Sequence, residues 1–160
     1  MIRRTPVKMD LYQEGMARLE RGEVEEGRQL LEAAWREAPD SVEILHGLAR
    51  ALDLAGERAR AVELLERAHA RAPTEPGPAC DLAMLYLEHE EDAHAERVLE
   101  PVLSAHPEHP RANLHMAMAL AKTAPLRARG HVEKALRDSD PERRRQAEAL
   151  HRVLAAHAPG

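Results

Sequence analysis

Four prolines, Pro39, Pro73, Pro107 and Pro141, stand 34 residues apart at every step. A fixed step of that length constrains the fold more than any composition figure, because it means that one small supersecondary unit is being reused. Setting each of the first three prolines near the end of its unit gives residues 8–41, 42–75 and 76–109. Equivalent positions then agree in chemistry. The eighth residue is small (Gly15, Ala49, Ala83), and so is the twentieth (Gly27, Ala61, Ala95). The twenty-fourth is Leu31, Leu65 and Leu99, and the twenty-seventh is Ala34, Ala68 and Val102. Gly22 and Gly56 share a turn position that Glu90 takes in the third unit.

Each column has a physical reading. Two antiparallel helices approach closely only where Gly or Ala removes side-chain bulk at the crossing. A glycine between them accepts the positive φ of a helix C-cap, and a proline after the second helix stops it. One such pair cannot bury its apolar face alone, so neighbours must stack. The composition agrees. Ala, Leu, Glu and Arg dominate, aromatics make up 2%, and no β-branched or aromatic run suggests a strand. The expected fold class is all-α.

A fourth unit, 110–140, is less regular. Ala112, Met116, Ala117 and Leu120 mark its first helix. Its second fits with one residue deleted in the turn, which places Ala128, Val132 and Ala135 at the packing columns. Pro141 then keeps the step if one residue is gained before it. Residues 142–157 read as a further amphipathic helix, with Ala147, Leu150 and Leu154 on one stripe and Arg145, Glu148 and Arg152 on the other. At the other end, Glu14 and Arg18 stand where the second unit has Leu48 and Leu52, and those charges do not suit another repeat stacked on them. The expectation is nine helices and a chain complete at both ends, with 1–7 an N-terminal tail and 141–160 a capping helix and C-terminal tail. Pro101 falls inside a helix, where it removes the bond to the Arg97 carbonyl and should bend it.

The period, the small-residue columns, the turn glycines and the closing prolines together resemble the tetratricopeptide repeat family. The resemblance implies a right-handed superhelical solenoid of about four helix-turn-helix repeats plus the C-terminal capping helix. It also implies a concave surface lined by the first helix of each unit, through its second, fifth, ninth and twelfth residues. Carried over by position, these are Met9, Tyr12, Met16 and Leu19, then Glu43, His46, Arg50 and Asp53. The third unit gives Gly77, Cys80, Met84 and Leu87, and the fourth Arg111, Leu114, Met118 and Ala121. The groove is mostly apolar with a polar band across its second unit. Methionine adapts to irregular apolar ligands, so an amphipathic helix or extended peptide suits it. Arg50 can pair with a ligand carboxylate or with Asp53 three residues on. Some family members clamp a C-terminal carboxylate with lysine and asparagine at these positions. Tyr12, Met16, His46, Arg50, Cys80 and Met84 stand there instead, so that mode is not expected.

Other chemistry finds little support. His89 and His94 lie five apart across a turn, whereas a helical zinc-protease pair needs four on a continuous helix. His106 and His109 flank Pro107 in a loop, and His46 in the groove reads as hydrogen-bonded or pH-sensing. One cysteine, Cys80, excludes an internal disulfide and a cysteine-built zinc site. An adjacent His46 or His115 could activate it, but a small buried hydrophobe is the plainer reading. No phosphate loop or serine elbow is present, and Arg143, Arg144 and Arg145 lack interleaved aromatics, so nucleic acid is not an expected partner. No metal and no cofactor are expected.

Two N-terminal arginines precede no hydrophobic core of a signal peptide, and no apolar run approaches the ~20 residues that span a bilayer. A cytoplasmic location without membrane insertion follows as the expectation. Residues 1–107 carry 13 Lys/Arg against 22 Asp/Glu, and 108–160 carry 10 against 6, an asymmetry able to steer a charged partner. The leading reading is a protein–protein interaction module, an adaptor or scaffold that takes a partner peptide or helix and is itself a monomer, with homo-oligomerisation the alternative. A narrower version, resting on architecture, is a chaperone like those of type III secretion translocators. An enzyme using Cys80 and histidine is the competing class.

Overall fold

The computed structural model describes residues 8–157; the tail assigned to 1–7 and the end of the C-terminal tail lie outside them. Among the described residues are nine α-helices and no strand: α1 (Lys8–Glu20), α2 (Val24–Glu37), α3 (Val42–Leu54), α4 (Arg58–Arg71), α5 (Pro76–Glu88), α6 (Asp92–Ala105), α7 (Pro110–Leu120), α8 (Pro125–Ala135) and α9 (Pro141–Ala156). The helices fall into two compact units, α1–α4 up to Ala72 and α5–α9 from Pro73.

In the first unit α1 packs on α2 and α3 on α4, with α2 against α3 and α1 against α3. The α1–α2 crossing rests on glycine. A Cβ on Gly15 would lie 2.8 Å from Leu31 Cγ, and one on Gly27 would lie 3.0 Å from the Gly15 carbonyl oxygen. At the α3–α4 crossing Ala49 and Ala61 hold the same columns, both fully buried. Glu14 and Arg18 do form a polar outer edge: Arg18 donates to Glu14 and to Glu23, each at 2.8 Å. Their counterparts Leu48 and Leu52 are fully buried.

In the second unit α5–α6, α7–α8 and α8–α9 pack consecutively, and α7 touches both α5 and α9. Ala83, Ala95, Leu99, Val102, Ala112, Met116 and Val132 share one core that Leu154 of α9 closes. Leu114, Ala135 and Ala147 join α7, α8 and α9 in a second cluster. On α9, Ala147 and Leu154 are buried and Leu150 half-buried, whereas Arg145, Glu148 and Arg152 are exposed, as the stripe predicts. Pro101 sits inside α6, which runs on to Ala105.

Three turns close identically. The amide after each left-handed residue bonds back five positions (Glu23 to Arg18, Glu57 to Leu52, Glu91 to Tyr86), and the left-handed residue bonds back three (Gly22 to Leu19, Gly56 to Asp53, Glu90 to Leu87). This double bond requires positive φ. Gly22 takes φ 79°, Gly56 83°, and Glu90, without glycine's freedom, 58°. The fourth turn has no such residue: Ala124 N–H bonds to the Leu120 carbonyl at 2.8 Å, and α8 starts one position early relative to α6, matching the inferred deletion.

Pro141 plays a different part from its three predecessors. Pro39, Pro73 and Pro107 lie three residues before α3, α5 and α7, but Pro141 is the first residue of α9. The cause is the short α8, 11 residues against 14 in α6. The chain after it turns on Asp138, which is 5% exposed. That carboxylate accepts two bonds from the Arg143 guanidinium, at 2.7 and 3.0 Å, and one from the Asp140 amide at 2.9 Å. Asp140 in turn caps α9 by accepting from Arg143 N–H at 2.8 Å. The 34-residue step at Pro141 is therefore a coincidence of spacing, not a fourth closing proline.

Candidate functional site

The face carried by the first helices can be followed column by column within each unit. At the ninth position Met16 is half-buried, Arg50 exposed, and Met84 and Met118 half-buried. At the twelfth, Leu19 and Leu87 are half-buried and Asp53 is exposed. Met9, at the second position, is 37% exposed. The fifth position differs. Tyr12 and His46 are half-buried, but Cys80 and Leu114 are 1% exposed each and belong to the core of the second unit. These two present no surface to a ligand.

Within each unit the fifth residue of the leading first helix faces the next one, Tyr12 toward α3 and Cys80 toward α7. Tyr12 and Met16 both lean on α3 at Gly47, where an added Cβ would lie 3.0 Å from the Tyr12 ring and 3.0 Å from Met16 Sδ. Gly47 thus makes room for two large side chains that still reach solvent in part. Cys80 packs into one core with Ala112 and Met116 of α7, and Leu114 is covered by Ala147 of α9. Met118 packs against that same cluster, so one flank of its side chain is core. Leu87 likewise packs against the core built by α5–α9.

Charge on the first-unit face is concentrated around Tyr12. Burial raises its phenol pKa first, the Glu43 carboxylate adds to this, and Arg50 opposes it. Of the two partners open to Arg50, the structure removes one. Asp53 faces Arg58 at 3.7 Å, and Arg50 makes no ion pair among the described residues. In the second unit Arg111 pairs with Asp81.

Cys80 and His115 do meet, but not as a nucleophile and its base. His115, 2% exposed, engages the Cys80 backbone, and its Nδ1 has no partner. Burial pushes the Cys80 thiol up to about 11 and pushes His115 down to about 4. A thiol held protonated is a poor nucleophile, and it lies where substrate cannot reach. His89 and His94 are exposed, with His94 3.3 Å from Glu91 and its ring 5.3 Å from that of Tyr86. His109 has a role the sequence did not suggest: its Nδ1 accepts from Ala112 N–H at 3.1 Å and caps α7. The buried Asn113 was also missed. It donates to the Pro107 and His109 carbonyls and accepts from His131 Nδ1 at 2.8 Å, fixing the α6–α7 turn to α8.

No helix among the described residues is long and apolar enough to cross a membrane. A sequence profile of the tetratricopeptide repeat matches residues 18–76 and again 54–121, together more than half of the chain. Among solved structures, a thermophilic TPR protein of Thermus thermophilus superposes with a TM-score of 0.77 at 21% identity, over 92% of this chain and 83% of that one. MamA from Desulfovibrio magneticus RS-1 gives 0.72 at 24%, covering 94% and 90%. MamA AMB-1 gives 0.70 at 22%, covering 94% and 90%. At these identities the likeness establishes the fold. A search among curated proteins gave no match.

Proposed function

The chain belongs to the tetratricopeptide repeat family, and we propose that it is an adaptor whose first-helix faces hold a peptide or helix of a partner protein. The observation that carries this reading is the first-unit face. Tyr12 and Met16 are held half-exposed over Gly47, beside a guanidinium, Arg50, that pairs with no carboxylate among the described residues. An apolar ligand with one well-placed carboxylate would satisfy both parts. On the second unit Met84, Leu87 and Met118 form the corresponding set, and Cys80 and Leu114 drop out of it. A binding role is favoured over catalysis because the one thiol is buried and held protonated. A monomer in the cytoplasm remains part of the proposal.

Affinity purification with mass spectrometry would name the partner, and calorimetry would then test the faces one at a time. Met84→Glu should lower the melting temperature only slightly, since part of the Met84 side chain already faces solvent. It should weaken binding by several kcal/mol, roughly the cost of burying a charge against an apolar ligand. Arg50→Glu tests the first unit in the same way, through repulsion of the ligand carboxylate. A large loss of stability in Met84→Glu before any partner is added would make that residue core and remove the second-unit face from the proposal.

A further inference from the structure

We propose that a cavity of about 390 Å³ between the start of α8 and the end of α9 is a second binding site, and that it takes an acidic peptide segment presenting one large apolar side chain. The cavity lies on helices that the first-helix faces do not use. Its floor is Leu154, 4% exposed and part of the core of the second unit, together with Ala124 from the α7–α8 turn. Its wall is Pro125 and Leu126, and Leu126 is 71% exposed, the most open of the large apolar side chains among the described residues. A leucine left in water over an apolar floor is a surface awaiting a partner atom. The volume suits one leucine- or phenylalanine-sized side chain with the backbone around it. The open wall suits a side chain offered from a peptide more than a long tail that must be enclosed.

The charge around the cavity fixes the rest of the ligand. Arg127, Arg129 and His157 complete the lining, and among the described residues no carboxylate takes part. Arg127 has Glu96 at 3.4 Å with its own side chain 60% exposed, a loose surface pair. Arg129 pairs with no carboxylate among the described residues. His157 is oriented by its Nδ1–H donating to the Val153 carbonyl at 2.8 Å, which leaves Nε2 available. Residues 108–160 as a whole carry 10 Lys/Arg against 6 Asp/Glu. A basic peptide would be repelled from this end, and a neutral apolar one would leave Arg129 without a counter-charge. Glutamate or aspartate beside an apolar anchor meets both conditions, with attraction that salt screens.

The test is a nuclear magnetic resonance titration of the isotope-labelled full chain with a short synthetic peptide, a leucine flanked by glutamates. Controls carry lysine for glutamate or serine for leucine; dodecanoate and light scattering of the chain alone complete the set. Shifts should concentrate at residues 124–129 and 153–157 for the acidic leucine peptide only, and should shrink with added salt. Arg129→Glu should weaken binding roughly tenfold, as expected when an attractive rim charge becomes repulsive. Leu126→Asp should abolish it. Leu126 is exposed and Arg129 half-buried, and the melting temperature of each variant checks that the fold is kept. Met84→Glu should leave this titration unchanged, so failure here and failure of the first-helix faces are separable. Four results would overturn the proposal: no shift at these residues, equal response to the lysine peptide, binding of dodecanoate but not peptide, or self-association that Leu126→Asp dissolves.

Discussion

Glu90 occupies a backbone conformation that two glycines occupy elsewhere in the same chain, and replacing it with glycine should stabilise the protein. Gly22, Gly56 and Glu90 make the same pair of turn hydrogen bonds, so the backbone path is set by the helix pair and not by the residue. A side chain with Cβ at φ 58° costs roughly 1–2 kcal/mol of steric strain. Glycine at that position returns about 0.5–1 kcal/mol through the greater freedom of its unfolded chain. The exposed pairing of Glu90 with Lys122 at 3.5 Å, with side chains 83% and 70% exposed, offsets little of this. The net expectation for Glu90→Gly is a gain of up to about 1.5 kcal/mol, centred near ~0.7, and the central value raises the melting temperature by about 1–3 °C at this chain length. Thermal and urea denaturation followed by circular dichroism measure it. Two companions isolate the cause. Glu90→Ala removes the carboxylate but keeps the strain and should give no comparable gain. Gly56→Ala should lose about 1 kcal/mol although an added Cβ there meets nothing within 4 Å, because the penalty lies in the backbone alone. A Glu90→Gly variant no more stable than the parent, with Gly56→Ala also neutral, would refute the strain argument.

Gly27→Ala should destabilise by about 1–3 kcal/mol through its close approach to the Gly15 carbonyl and to Leu19 Cδ2, even though alanine is the better helix former; a rise in urea midpoint would refute the crowding. Acid should weaken the fold through His115. Its folded pKa is pushed below its ordinary value, to about 4, so its contribution is full above about pH 6.5 and is lost as pH falls from there toward 4. That is ~2 kcal/mol between pH 7 and 5, with His69, His109 and His131 displaced in the same direction, and urea midpoints at the two pH values should show the drop. Arg143→Ala should leave the buried Asp138 carboxylate without its main partner, costing ~1–3 kcal/mol and speeding amide hydrogen exchange in α9 before the other helices.

The helices were legible because the features that define them repeat. A 34-residue step, small residues at each crossing and leucine at the twenty-fourth position are local choices that each helix pair must make again, and their agreement leaves one fold class. What a sequence period does not carry is the length of an individual element when neighbouring contacts set it. The short α8 is such a case. After its end Asp138 gathers the Arg143 guanidinium and the Asp140 amide across a turn, and the 34-residue step at Pro141 gave no sign of that geometry.

The same distinction runs through the first-helix face. Helical periodicity tells which residues share a side, but how far each one protrudes depends on the helix beside it. Tyr12 and Cys80 occupy the same column. The phenol rests over Gly47 and stays half-exposed, whereas the thiol packs with Ala112 and Met116 of α7 and is core. Met84 and Met118 also share a column, yet Met118 has α9 packed on one flank. The cavity at α8 and α9 was invisible for a related reason. Leu126 and Leu154 lie 28 residues apart with no common column in the repeat, because α8 and α9 are the part of the chain where the repeat breaks down. A repeat conserves the contacts that each unit makes with the next, so it conceals whatever is made only once. Where the period fails, side chains are no longer committed to a neighbouring repeat, and Leu126 is left 71% exposed.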